Sequence, residues 1–349
     1  VGLQNNLEIY SPVDSLGKFT SDVNHFSGLQ IFDANKLINA LMLDRGNLLA
    51  AGEIEHSYPH CWRCHDPIIF RATSQWFISM DHDDLRQKAL ESIEQVEWIP
   101  SWGKERISNM IANRPDWCIS RQRIWGVPII AFYCQKCSEP LLCGEVVKHV
   151  VEIFQQEGVE AWFDRDASTL LPGNTRCLCG HSEFEKESDI LDVWFDSGVS
   201  HQAVLETRNG LSWPADVYLE GGDQFRGWFH TSLLTSLRVR GKAPFRTVIC
   251  SGWTLDDEGH AMSKSRGNVI SPVNIMETSG AELLRLWVSS ITYTEDVRLG
   301  DEILLRLREA YRKIRNTHRF ILGNLFDFTP DMEVSQKDLS EIDRWALAR

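Results

Sequence analysis

No apolar run in this 349-residue chain approaches the roughly 20 residues needed to span a bilayer, and no basic-then-apolar leader opens it. Membrane and export classes are therefore not expected. Nor is there a basic excess: 36 Lys and Arg stand against 49 Asp and Glu, a net charge of −13, which argues against a protein that coats nucleic acid nonspecifically. Internal repeats and low-complexity tracts are also missing, so solenoids and disordered tails are excluded. The nine cysteines, an odd number that includes two C-x-x-C pairs, do not make a disulfide scaffold and suit a reducing compartment. A cytoplasmic protein without a membrane partner is expected.

What is present is a globular composition, 43% hydrophobic, large enough for more than one core. Apolar spacing predicts a helix over 35–45 with Leu37, Ile38, Leu41 and Met42 on one face, paired strands over 68–72 and 75–80, and helices over 83–93 and 103–113. The last of these stops before Pro115, because proline disfavours helical backbone in the residue ahead of it. Residues 217–219, 224–238 and 247–250 read as a strand, helix and strand. In such a β-α-β unit ligands gather beyond the carboxyl ends of the parallel strands, which is where Glu220, Gly221, Gly222 and Asp223 fall, with Ser251, Gly252 and Trp253 after the second strand. Helices over 280–290 and 301–325 follow. Arg306, Arg308, Arg312, Lys313, Arg315 and Arg319 on the second form either a phosphate-tracking stripe or a solvated face.

Two groups of residues point to chemistry. The run His260-Ala261-Met262-Ser263-Lys264-Ser265-Arg266-Gly267-Asn268 is a polar loop around one central lysine, suited to nucleotide phosphates. Cys134-x-x-Cys137 and Cys177-x-Cys179-Gly180 supply four thiols in two tight turns, the pattern of a tetrahedral structural zinc site. Replacement of one ligand by Cys143 or His181, or reduced and unmetallated cysteines, are the alternatives. Cys61 and Cys64 form a half-site.

The blocks Asp192-Val193-Trp194-Phe195-Asp196-Ser197-Gly198, Tyr218 to Phe229 and Met262-Ser263-Lys264-Ser265, in that order, resemble the second half of the catalytic domain of class I aminoacyl-tRNA synthetases, most closely the isoleucyl branch. The resemblance spans nearly the whole chain. It implies an α/β, Rossmann-like fold with a small β-rich zinc insertion, and a chain divided into an editing-domain remnant (1–60), a catalytic segment (61–260) with the insertion at about 130–185, a stem-contact region (261–300) and the start of a helical anticodon-binding region (301–349). It implies ATP, with Mg2+, and isoleucine as substrates, tRNA(Ile) as partner, structural Zn2+ and a monomeric state. By the same resemblance Lys264, Ser263 and Ser265 are catalytic, with Met262 and Lys264 at ATP. Glu220 would hold either the substrate ammonium or the adenylate hydroxyls, and Gly221, Asp223, Gln224 and Trp228 would complete the isoleucyl-adenylate site. Arg121, Gln122, Arg123 and Trp125 would meet the tRNA end or the reacting groups, unless they are an Arg-rich turn paired with acids. An apolar pocket separates poorly from a substrate one methylene smaller, hence editing in this family, although the editing residues are expected upstream of Val1.

Two departures matter. Ala261 stands where the family commonly has a first lysine, and no His-x-Gly-His tetrapeptide occurs. The chain opens on Val1 and closes within an amphipathic pattern at Trp345, so an internal fragment, inactive by itself, is expected. The valyl enzyme is the nearest alternative. A zinc-stabilised RNA-binding module without activity is the alternative of a different class.

Overall fold

In the computed structural model, residues 5–7, 10–61, 63–264 and 266–349 are described. They form two compact units, residues 1–77 and 78–349. In the first, the helix Ile31–Asp44 buries the side carrying Ile31, Ala34, Ile38 and Leu41. Leu37 and Met42, expected on that face, are exposed: the i, i+3, i+7 series that runs from Ile31 through Ala34 and Ile38 wins over the shorter apolar cluster. Residues 68–72 are not a strand and Phe70 is exposed, so the expected pairing of 68–72 with 75–80 does not occur. Only Phe77–Ile78 keeps strand geometry there.

The second unit is built on a three-stranded parallel sheet in the order Glu97–Ile99, Phe245–Ser251, Ala215–Gly221. The helices Leu85–Glu94, Trp102–Ala112 and Trp228–Arg240 contribute to one hydrophobic cluster against it, centred on Ile93, Trp98, Ile107, Phe225, Phe229, Leu233 and Val248. Parallel sheets normally bury both faces. Here Tyr218 is buried in that cluster, while its neighbours Val217 and Leu219, which point to the opposite face, are 48% and 57% exposed.

Two smaller cores are attached. Strands Ser120–Arg121 and Ile190–Leu191 pair antiparallel as a neck. Between them Phe132, Val146, Val150, Trp162, Leu170 and Phe184 form a separate cluster. This insertion has a three-stranded antiparallel ribbon (Phe132–Cys134, Pro140–Leu141, Phe184–Lys186), yet the helices Gly144–Glu157, Ala161–Asp164 and Ala167–Leu170 make up more of it than strand does. The expected β-rich character is thus confined to the ribbon, because the Val146, Val150, Phe154 spacing selects a helix to cover it.

After Ser251 the chain enters the third core, where Ile275, Leu283, Trp287, Leu299 and Leu304 pack between helices Pro272–Ser279, Ala281–Ser290 and Asp301–Asn324. Gly252 marks the crossing: a Cβ there would collide with the Glu295 carbonyl, and the Gly252 amide donates to the Tyr293 carbonyl at 2.9 Å. The basic residues of the helix Asp301–Asn324 are exposed, Arg306 pairing with Glu302 and Arg308 donating to Ser279. No helix of the described residues is long and apolar enough to cross a membrane.

Candidate active site and metal centre

Parallel register sets Cys250 beside Glu220 and Ser251 beside Gly221, so both strands deliver their carboxyl ends to one place. The expected helix over 224–238 begins only at Trp228; before it Gly222–Arg226 forms a 3-10 turn. The cause is local. Gly227, at φ −123° and ψ −120°, breaks the helical run as the N-cap, Gln224 Oε1 accepts the otherwise unpaired Trp228 amide at 2.9 Å, and Gln224 Nε2 donates to Asp223 Oδ2 at 2.9 Å. Glu220 is exposed at the strand's end. Trp228 stacks on Tyr218 with centroids 3.8 Å apart and planes 9° from parallel, and its Nε1 donates to the Ser197 carbonyl and to Ser200 Oγ, both at 3.0 Å. The ring is therefore held rigidly, half-buried, against the core.

Gly227 permits the closest approach in this turn. A Cβ there would stand 2.5 Å from Gln224 Oε1 and 2.6 Å from the Trp194 ring, so only glycine lets the indole of the 192–198 block seat on the turn. That block is anchored by Asp192, which is 4% exposed. Its Oδ2 accepts from Arg121 Nη2 at 2.8 Å and from Trp117 Nε1 at 3.3 Å, and its Oδ1 caps the helix Val193–Gly198 at the Trp194 amide. Arg121 is thus committed to an acid partner, as is Gln122, whose Nε2 donates to Asp189 Oδ2 at 2.6 Å. Arg123 and Trp125 stay exposed.

Sequence reasoning passed over Arg106, and it singled out Asp192 and Trp194 only as members of a motif, without a role for either. Arg106 Nη1 lies 3.6 Å from where a Gly222 Cβ would be, and its guanidinium sits over the Phe225 ring at 5.2 Å, adding a cation beside the turn. The one available signal was its position a helical turn beyond Trp102, and spacing alone does not distinguish that from a solvated arginine.

The lysine loop belongs to the third core, into which Met262 packs. Its base is pinned: Asn268 Nδ2 donates to Asp256 Oδ2 at 2.7 Å, and Asn268 Oδ1 accepts the Ser263 amide at 2.9 Å. The Asn268 bond, with the His260 amide on Asp256 Oδ1, holds the Asp256 carboxyl below its usual range. Lys264 projects from the loop, exposed. Ser265 lies outside the described residues. The residues Glu220, Gly221, Asp223, Gln224 and Trp228 are thus gathered on one turn, and Met262, Ser263 and Lys264 on a loop anchored in a different core.

In the insertion, the sulfurs of Cys134, Cys137, Cys177 and Cys179 all lie within 4.8 Å of one another. The Cys134–Cys179 and Cys137–Cys177 sulfurs are 3.6 and 3.5 Å apart, far beyond a disulfide. Four sulfurs about 2.3 Å from a tetrahedral zinc would be about 3.8 Å apart, so the donor set fits that ion. Both turns are tight: the Ser138 amide donates to the Cys134 carbonyl and the Gly180 amide to the Cys177 carbonyl, each at 2.8 Å, with Gly180 at φ +82°. Burial disfavours the Cys134 thiolate, but the amides of Cys137 and Lys136 and the neighbouring thiols outweigh it and bring the group to about 6. Cys137 moves to about 12, the thiols around it and burial overriding the Glu139 amide. Such a cluster shares protons until a cation replaces them. Cys143 and His181 are not among the four, and Cys61 and Cys64 join no group of three or more ligands among the described residues.

Residues 11–300 match the family described as tRNA synthetases class I (I, L, M and V). The chain is 55% identical over its whole length to an isoleucine–tRNA ligase of Syntrophotalea carbinolica, of which it covers 38%, and 56% identical over 99% of its length to that of Geobacter sulfurreducens, again covering 38%. With the isoleucine–tRNA ligase of Caldanaerobacter subterraneus it shares 52% identity, covering 37% of that relative. The chain thus spans somewhat over a third of the length of these curated relatives. In fold it is similar to Mycobacterium tuberculosis methionyl-tRNA synthetase in complex with methionyl-adenylate, with TM-score 0.53 and 17% identity over 83% of this chain and 48% of that one.

Proposed function

The chain belongs to the class I tRNA synthetases, and from that premise we propose that it carries part of the catalytic machinery of an isoleucine–tRNA ligase. The observation that carries the reading is identity of 52–56% to isoleucine–tRNA ligases along all or nearly all of the chain. In this reading the isoleucine carboxylate attacks the α-phosphate of ATP, bound with Mg2+. Pyrophosphate leaves, and the acyl group of the adenylate then passes to a hydroxyl of the terminal ribose of tRNA(Ile), with AMP as the leaving group. Negative charge accumulates on the phosphates in the transition state, and the Lys264 ammonium, with the hydroxyls of Ser263 and Ser265, stabilises it. Met262, packed in the third core, fixes the loop on which they stand. Glu220 takes the substrate ammonium or the adenylate hydroxyls, Gly221 and Asp223 border the adenylate, and Gln224 and the clamped Trp228 shape the amino-acid side. Ala261 leaves Lys264 as the loop's principal phosphate contact.

Cys134, Cys137, Cys177 and Cys179 would hold a structural zinc that fixes the two turns of the insertion, remote from the chemical step. Residues 1–60 are read as the tail of an editing domain, 261–300 as a stem-contact region and 301–349 as the start of an anticodon-binding region, in a monomeric, cytoplasmic enzyme. The exposed basic stripe from Arg306 to Arg319 supports RNA contact.

The test is isoleucine-dependent ATP–pyrophosphate exchange by the full-length protein, with valine and leucine as competing substrates. Exchange strongest with isoleucine, reduced about 10²- to 10³-fold in Lys264→Ala and severely impaired in Glu220→Ala, is the expected result. Exchange strongest with valine would favour the valyl reading. No exchange with any of the three would leave the zinc-stabilised RNA-binding module.

A further inference from the structure

Tyr218 sits in the middle of the strand Ala215–Gly221, in register with Val248 of the central strand, and is 4% exposed. Its ring also meets Phe245, with centroids 4.8 Å apart. The phenol is therefore fixed to the sheet. Burial raises the pKa of its hydroxyl and the hydroxyls of Ser232 and Ser200 oppose the rise, which sets Ser200 beside both the phenol and the Trp228 indole.

Trp228 has less support from its own helix. It is the first residue of Trp228–Arg240, and the preceding turn that restrains side-chain rotation inside a helix is missing at that position. Tertiary contacts must supply the restraint. The two hydrogen bonds from Nε1, to the Ser197 carbonyl and Ser200 Oγ, hold one edge of the indole but leave the ring free to tip about that edge. A parallel stack fixes the tilt but leaves the ring free to slide. Together they fix both, and the plane that sets the tilt is that of Tyr218, 3.8 Å away and 9° from parallel. Tyr218 occupies one face of the half-buried indole, so the open part of the ring lies off that face.

The precision of such a wall decides discrimination. One methylene in an apolar pocket is worth only about 10- to 200-fold, and a wall that drifts by about 0.5–1 Å forfeits about a quarter to a half of each contact. We propose that Tyr218, with Ser200, is the positioning residue for the Trp228 wall and thereby sets the preference for isoleucine over the amino acid one methylene smaller. This rests on the ligase reading, in which Trp228 shapes the amino-acid side of the site. Tyr218 itself touches no substrate; it acts through the indole.

The test is ATP–pyrophosphate exchange by the full-length protein without tRNA, with isoleucine and with valine, read as the ratio of the two kcat/KM values. A folding defect that removes active protein lowers both values together and leaves the ratio unmoved. Tyr218→Leu should lower the ratio about three- to tenfold, raising the KM for isoleucine and leaving the KM for ATP as it was. Tyr218→Phe retains the ring and should keep the ratio within about twofold of wild type. An unchanged ratio in Tyr218→Leu, a KM for ATP that rises in step with that for isoleucine, or an equal loss in Tyr218→Phe would overturn the proposal. Should Tyr218→Leu fail to fold, Ser200→Ala decides: it removes one of the two Nε1 contacts and should lower the ratio about twofold, and a wild-type ratio there overturns the proposal. Wild-type protein without a preference for isoleucine would sink the ligase reading and this role with it. Wild-type exchange of the expected kind, with a ratio indifferent to Tyr218→Leu, would sink the role of Tyr218 alone.

Discussion

Gly227 is the residue on which the site turn depends most directly, because a Cβ there would collide with both Gln224 Oε1 and the Trp194 ring. Gly227→Ala must push the indole or break the hydrogen bond from the Trp228 amide to Gln224. Overpacking of this kind costs roughly 1–3 kcal/mol. Urea unfolding of the variant should show that loss, and a variant as stable as wild type would mean that Trp194 is free to move. His230 has its own signature. Its pKa lies near 3 in the folded chain against an ordinary 6.5, so between those values the unfolded chain binds more protons. Stability should therefore fall as pH drops from about 6.5 towards 3, by up to roughly 1.4 kcal/mol per unit from this group. His230→Phe should flatten that part of the pH–stability curve; an unaltered slope would show that the ring is not buried neutral.

At the scale of elements, the insertion and the lysine loop are each held by a few polar contacts. Four sulfurs within 4.8 Å of one another, at the tip of a ribbon whose hydrophobic cluster is small, would make a bound metal the main constraint on the two turns. Purified protein should carry about one zinc per chain by mass spectrometry. Cys137→Ser should lose it and redden the fluorescence of Trp162, which is 2% exposed and packs against Phe132. Retained zinc in that variant would remove Cys137 from the ligand set. The lysine loop depends on Asp256, which binds both Asn268 and the His260 amide. Asp256→Asn should impair exchange about tenfold, through a loop less well held, with the KM for isoleucine little changed, if Lys264 acts only on ATP phosphates. A selective rise in the KM for isoleucine would contradict that division.

For the whole molecule, the strand Ala215–Gly221 lies at an edge of its sheet, with Val217 and Leu219 exposed. The chain spans 37–38% of its isoleucine–tRNA ligase relatives and contains no His-x-Gly-His. The 349-residue chain by itself should accordingly show no isoleucine-dependent exchange under conditions where the full-length protein does. Measurable adenylate formation by the chain alone would refute this.

The β-α-β unit was legible in the sequence because strand and helix periods are local properties: the strands over 217–219 and 247–250 appeared in place and parallel, each extended by a few residues. The helices over 103–113 and 301–325 were legible for the same reason, and both ended within a residue of their reading. Cysteine spacing likewise identified the four thiols, since two tight turns need little else to bring their own pairs together. Short segments were not legible. Residues 68–72 have the β-branched and aromatic character of a strand but form no ladder, only the Ile68 amide pairing with the Pro59 carbonyl, and a strand exists only through continued pairing. The start of the Trp228–Arg240 helix was decided by the Gly227 backbone and the Gln224 side chain, and the face of the Ile31–Asp44 helix by what packs on it. Arg121 was drawn to Asp192, 71 positions on, and His230 was left with an unpartnered nitrogen, through contacts distant in sequence. Sequence alone determined which groups the chain carries and the periodic elements that bear them. Only the tertiary structure decided which are neutralised, buried or left without a partner, because charge pairing and desolvation depend on distances in space.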